Sequence, residues 1–376
     1  MVNRWSGIVG GYCSGSKTPS RVLASLCLSP SSQTLMQVPK RNAIFFVGDR
    51  VQETHNAVIK RLSQLENIAA IMVSKLGPHV NVWVVEPSRY RGSFACYDNF
   101  LPCMTSLGEP TSYKPQGFPA ATACLSLLAS CIKEVTRHLT KDARQKKMVN
   151  TSESGDDATM MRVGEFPETT LFGFSKGGVV LNQLLSELTV EDPSKETARK
   201  PYDGTMLRSQ IRTSNSRAGN HEDTADSAAK FRFTENSTGT SCYSEDGSSD
   251  CIPESHLIPT SIKGFLGSID QIHFVDVGLN RQGAYITDPY ILDGVAKVAK
   301  SRQAGISLTV HGTPRQWNDL NRPWILAEKD KFITGLQAAA KKNGDEKLQV
   351  FERLYFPERS ISLQMHFEIM EALIVN

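Results

Sequence analysis

The chain has 376 residues, 40% hydrophobic and 22% charged, enough apolar material for one large core or two small ones. Its formal charge of +3 is dispersed along the sequence rather than gathered into a basic run, which argues against a nucleic-acid partner. No uninterrupted apolar stretch reaches about eighteen residues, which argues against a transmembrane helix.

The eight cysteines include no Cys-x-x-Cys pair and no zinc-ligand spacing. Cys124 and Cys131 stand one heptad apart in an apolar run and read as core residues, so unpaired thiols in a reducing compartment are the simplest account. Residues 1–48 contain no acidic side chain but carry Arg4, Lys17, Arg21, Lys40 and Arg41 among many serines, the composition of an organellar transit peptide. The alternative for residues 1–40 is a β-hairpin at a sheet edge, made from the apolar runs 21–28 and 34–38 on either side of Ser29-Pro30-Ser31-Ser32.

From residue 41 the elements follow in alternation. Residues 43–47 (Ala-Ile-Phe-Phe-Val) form a continuous apolar run that ends in Gly48-Asp49, the pattern of a buried parallel strand. Helical spacing of Val58, Ile59, Leu62, Leu65, Ile68 and Ile71 predicts a helix over 56–76, and 80–85 is the next strand. A polar loop rich in aromatics (Tyr90, Phe94, Tyr97, Phe100) fills 88–117. It is placed either to cover a site and touch an acyl chain or to pack onto the sheet. A helix over 120–139, a strand over 168–172 and an apolar helix over 178–188 complete the first part of the core, 41–189.

Residues 190–256 are Ser, Thr, Asn, Asp, Glu and Lys with few aliphatics, and cannot bury enough surface to offset chain entropy. They read as a disordered insertion, as does the shorter stretch 141–157. The second part of the core, 257–376, resumes with strands over 269–277, 306–310 and 348–356. Helices are predicted over 289–301, 327–341 and 362–375. The alternation implies an α/β fold: a mostly parallel sheet with helices on both faces and the strand C-termini along one edge.

At that edge lies Gly173-Phe174-Ser175-Lys176-Gly177, between the 168–172 strand and the 178–188 helix. Gly-x-Ser-x-Gly in a strand–turn–helix context is a nucleophile elbow, and the fold expected is α/β-hydrolase-like. The turn is so tight that a side chain at 173 or 177 collides with the neighbouring helix or strand, while Ser175 is pushed upward. A serine hydroxyl needs a base to take its proton. Of the histidines that follow, His221 and His256 fall in or beside the insertion, His273 lies inside a strand, and His311 ends a strand directly before Gly312. His366, after the last strand and at the start of the final helix, is the expected base. Asp319, after the 306–310 strand, is preferred as the acid, with Asp276, in Phe274-Val275-Asp276 one strand earlier, as the alternative; either carboxylate would otherwise be a structural cap. The oxyanion hole is assigned to the amides of Lys176 and of the loop at Asp49 and Arg50. A charged Asp49 there must turn away, toward Arg50 or Arg315.

The strings Ala-Ile-Phe-Phe-Val-Gly-Asp (43–49), Phe-Gly-Phe-Ser-Lys-Gly-Gly (172–178) and His-Gly-Thr-Pro-Arg-Gln-Trp (311–317) resemble the eukaryotic family named after chromosome 2 open reading frame 69. The third string is far more specific than the elbow. Arg-Trp-Ser-Gly at 4–7 and Ser-Leu-Cys-Leu-Ser-Pro at 25–30 look like its plant members. The resemblance implies an esterase-like protein associated with mitochondria, with cytoplasm or plastid as alternatives. The expected function is hydrolysis of an ester or thioester, lipase-like in chemistry, through an acyl-Ser175 intermediate with no metal or organic cofactor. The substrate is a small molecule or acyl ester. The competing expectation is an inactive binding or scaffold protein that keeps the fold, and a transferase or lyase would use the same serine.

Overall fold

A computed structural model describes residues 3–29, 35, 39–147, 166–190, 257–344 and 347–375, with 142–147 described through their backbone only. The expected insertion beyond Val190, and residues 148–157 of the shorter polar stretch, lie outside the described residues. Residues 141–147, expected to be disordered, continue a helix instead.

Eight strands form the main sheet: β1 (Arg4–Gly11), β2 (Ser20–Cys27), β3 (Arg41–Phe46), β4 (Val80–Val85), β7 (Glu168–Phe174), β8 (Ile269–Val275), β9 (Ile306–Gly312) and β10 (Leu348–Leu354). Their order is β1-β2-β4-β3-β7-β8-β9-β10. β2 runs antiparallel to both its neighbours and every other pairing is parallel. With its single reversed strand, this is the topology of the α/β-hydrolase fold. A separate hairpin joins β5 (Arg89–Arg91) to β6 (Phe94–Cys96). The helices are α1 (Ala57–Leu62), α2 (Leu65–Leu76), α3 (Pro119–Lys147), α4 (Gly178–Leu188), α5 (Ile262–Ser268), α6 (Pro289–Ser301), α7 (Pro314–Trp317), α8 (Trp324–Lys342) and α9 (Leu363–Ala372).

Period-two alternation sends successive strand side chains to opposite faces. In β3, Ile44 and Phe46 enter one core while Ala43 and Phe45 enter the other; in β4, Trp83 and Val85 oppose Val82 and Val84. The larger core holds residues of α3, α4, α6 and α8, and the smaller one those of α1, α2 and α9. Burial on both faces is why these strands read as unbroken apolar runs. α4 is buried along its whole length, and its Glu187 carboxylate accepts the Ala120 and Ala121 amides at the start of α3, both at 2.8 Å. A carboxylate at that position meets the exposed donors of the first turn.

A hairpin at the sheet edge joins β1 to β2, and β2 covers most of the apolar run 21–28 that was expected to pair with 34–38. Of the latter run only Leu35 is described, bridging Leu28. The helix expected over 56–76 is broken at Ser63-Gln64, where the Ser63 hydroxyl donates back to the Ile59 carbonyl at 2.7 Å. Among the described residues no helix is long and apolar enough to cross a membrane.

Two histidines are buried inside the sheet. His273 stacks on Phe172 with ring centroids 4.6 Å apart, and its Nδ1 lies 3.1 Å from His311 Nε2. His311 Nδ1 in turn lies 2.9 Å from the Tyr355 hydroxyl. Burial pushes the His273 pKa down to about 3, and burial, then His273 and Arg353, holds His311 well below its usual range. The unfolded chain therefore binds these protons first. The stability contributed by neutral His273 is complete above its ordinary pKa of about 6.5. It is lost as pH falls from there toward 3, at roughly tenfold in the unfolding constant per pH unit. Urea unfolding between pH 7.5 and 4.5 should show a steeper acid loss in wild type than in His273→Gln. Parallel slopes would show that the pair is not held neutral by the fold.

Candidate active site

The elbow is built by close approach. β7 runs to Phe174, a single turn of 3₁₀ helix covers Ser175–Gly177, and α4 starts at Gly178. Ser175 has φ = 52°, left-handed backbone that a non-glycine residue adopts only when its surroundings enforce it. A Cβ at Gly173 would lie 2.7 Å from the Gly178 Cα, and one at Gly177 would lie 2.7 Å from the Phe46 carbonyl carbon. Helix and strand thus press on the two glycines as expected. Ser175 itself is only 8% exposed, more covered than the elbow motif suggests. Gly48 supplies part of that cover: a Cβ there would overlap the Ser175 Cβ and come within 3.0 Å of its Oγ.

His366 lies at the start of α9, whose N-cap Ser362 accepts the Met365 amide at 3.3 Å. Its ring stacks at 4.6 Å on Phe174, the residue immediately before Ser175. The His366 Nδ1–H donates to Asp276 Oδ2 at 2.6 Å, and the carboxylate is wholly buried. Asp276 follows β8 with φ = 46°, which an aspartate tolerates better than most residues. Its Oδ1 accepts the Thr313 amide at 2.7 Å and the Thr313 hydroxyl at 3.0 Å. An acceptor at Nδ1 leaves Nε2 as the basic nitrogen of the imidazole.

Asp319, preferred from the sequence, is not brought to His366. It lies past α7, where it pairs with Arg322 at 2.8 Å and accepts the Asn321 amide at 2.9 Å. The hydrogen bond from Arg322 holds its carboxyl below the usual range. The residue directly after β9 is Thr313, whose amide and hydroxyl donate to Asp276. Thr313 and Gly48 went unnoticed in the sequence. The available signal was Asp276 itself, the first polar residue after the apolar end of its strand.

The loop after β3 places only part of the expected oxyanion residues near Ser175. The Arg50 amide donates to the Ser93 carbonyl at 3.0 Å and its guanidinium lies 3.6 Å over the Tyr90 ring, so Arg50 is engaged elsewhere. The amides of Gly48 and Asp49 remain on that loop. The Lys176 amide lies in the first turn of a helix, where N–H groups have no intrahelical acceptor. The Asp49 carboxylate does turn away, but to the Ala95 amide at 2.7 Å rather than to Arg50 or Arg315. Of the loop aromatics, Tyr97 and Phe100 are fully buried and pack edge-on against Phe46, so they fasten the loop to the sheet.

The profile of the C2orf69 family matches residues 15–165 and 250–341. The chain belongs to this family. The Homo sapiens relative, "Mitochondrial protein C2orf69", is 24% identical over 379 residues, covering 91% of this chain and 76% of the relative. The Mus musculus homologue is also 24% identical, over 88% of this chain and 78% of its own. Among solved structures, an S-formylglutathione hydrolase from Agrobacterium tumefaciens aligns at 8% identity with a TM-score of 0.40, covering 99% of this chain and 94% of that one.

Proposed function

We propose that this C2orf69-family protein is a serine hydrolase of esters or thioesters, working through an acyl-Ser175 intermediate. The observation that supports this most is one continuous arrangement. A serine in strained left-handed backbone, a histidine stacked beside the elbow and a buried aspartate on that histidine's Nδ1 stand at one edge of the sheet. In the proposed reaction His366 Nε2 takes the Ser175 proton as Oγ bonds to the acyl carbon. The imidazolium then gives that proton to the departing alkoxide or thiolate. Water, deprotonated by the same nitrogen, releases the acid and restores Ser175. The amides of Lys176 and of Gly48-Asp49 are the proposed donors to the intervening oxyanion. The mitochondrion is the proposed compartment, following the names of the human and mouse relatives.

A fluorophosphonate probe tests the reading directly, because it loses fluoride only to an activated serine. Wild type should label, and Ser175→Ala and His366→Ala should not. Folded wild type that fails to label would favour the binding or scaffold alternative.

A further inference from the structure

Lys176, the residue after the elbow serine, has a side chain 1% exposed, in a position where a lysine ordinarily reaches solvent. Its Nζ donates to the Leu107 carbonyl at 2.7 Å. It pairs with Glu109 at 3.3 Å and lies 3.9 Å from Asp49 Oδ1. The Phe94 ring closes a further side, its centroid 5.1 Å away. Each carboxylate belongs to a different segment. Asp49 is on the loop after β3 and also accepts the Ala95 amide of β6, while Glu109 is on the loop that follows this hairpin. Burial holds both carboxyls above their usual range.

Lys176 follows Ser175 directly and Asp49 follows Gly48, which packs on Ser175, so the side chains that meet belong to neighbours of the serine on both sides. Lys176 carries the amide on the elbow side, and Asp49 carries one on the side of the β3 loop. No strand ladder joins the two segments at this point, since β3 ends at Phe46 and the elbow has already turned into helix. A buried ion pair needs good geometry to repay the desolvation of its charges, and when it does so it fixes a spacing. The hairpin and the 105–110 loop, tied to the same ammonium, close the cluster from outside.

We infer that the Lys176–Asp49–Glu109 cluster sets the width of the oxyanion hole, which makes Lys176 a positioning residue for the hydrolysis. The inference rests on the acyl-serine reading above. The ammonium acts through the two loops it joins, so its loss misplaces amide donors that act only on the developing charge. The consequence belongs in kcat, with KM little changed.

The test uses the full chain, fluorophosphonate labelling rates, and kcat and KM for p-nitrophenyl acetate. Lys176→Met should lower the labelling rate and kcat by about 10²-fold, the order found when one oxyanion donor is lost, with KM within about twofold. Asp49→Asn is isosteric and keeps the acceptor for Ala95, so it folds even if the lysine variant does not. It should lower both rates about tenfold. Folded variants that label and turn over at the wild-type rate overturn the inference while leaving the hydrolase reading intact. So does an equal rise in KM without loss of kcat. Wild type that does not label overturns both together.

Discussion

Asp276→Asn should lower kcat for p-nitrophenyl acetate by about 10⁴-fold, while Asp319→Asn stays within about twofold of wild type. The direction follows from how Asp276 is held. Its Oδ1 accepts the Thr313 amide and its Oδ2 faces His366 Nδ1. An asparagine must keep its carbonyl oxygen on the Thr313 N–H, since that backbone donor has no tautomer to offer. Its amide NH₂ then points at His366 Nδ1, which has to become an acceptor. The proton moves to Nε2, and the nitrogen needed to deprotonate Ser175 is blocked. Asp319 carries no such consequence, because it serves Arg322 and a local turn. Circular dichroism and thermal unfolding establish that both variants are folded before rates are compared. A loss for Asp319→Asn as large as that for Asp276→Asn would sink the assignment of the acid.

The choice between those two aspartates also marks how far the sequence could be read. The core strands were legible because burial on both faces leaves unbroken apolar runs, and β4, α4 and α6 begin and end at the residues the pattern indicates. The elbow was legible because its glycines are sterically required. β1 was not, since its three apolar or aromatic positions are interleaved with serine and glycines and carry little strand signal. α5, α7 and the β5–β6 hairpin are too short for periodicity to register. The proposed acid was named from the sequence only as the alternative to Asp319, for a different reason. Asp276 and Asp319 both follow a strand, and what separates them is the left-handed turn at Asp276 that aims its carboxylate across to α9. The cluster under Lys176 was likewise invisible, because its three charges come from positions 49, 109 and 176 and meet only once the loops have closed.

Gly177→Ala should destabilise the fold by about 3 kcal/mol, the upper end of what overpacking a close-packed site typically costs. A methyl at this position would overlap the Phe46 carbonyl oxygen and lie 2.9 Å from that of Val47. Both are backbone atoms at the end of β3, which is paired on either side by β4 and β7 and cannot yield without breaking a ladder. Gly267→Ala is the control. A Cβ there meets nothing within 4 Å, and the residue lies inside α5, where alanine is favoured over glycine by about 0.5–1 kcal/mol. Urea midpoints should therefore move in opposite directions for the two variants. The same separation between the elbow and the end of β3 places Gly48 against Ser175 and brings Asp49 to Lys176. Any Gly177→Ala protein that does fold should accordingly label with fluorophosphonate more slowly than wild type. An unchanged midpoint with unchanged labelling would mean that the elbow does not press on β3, and the close-packed nucleophile turn would have to be abandoned.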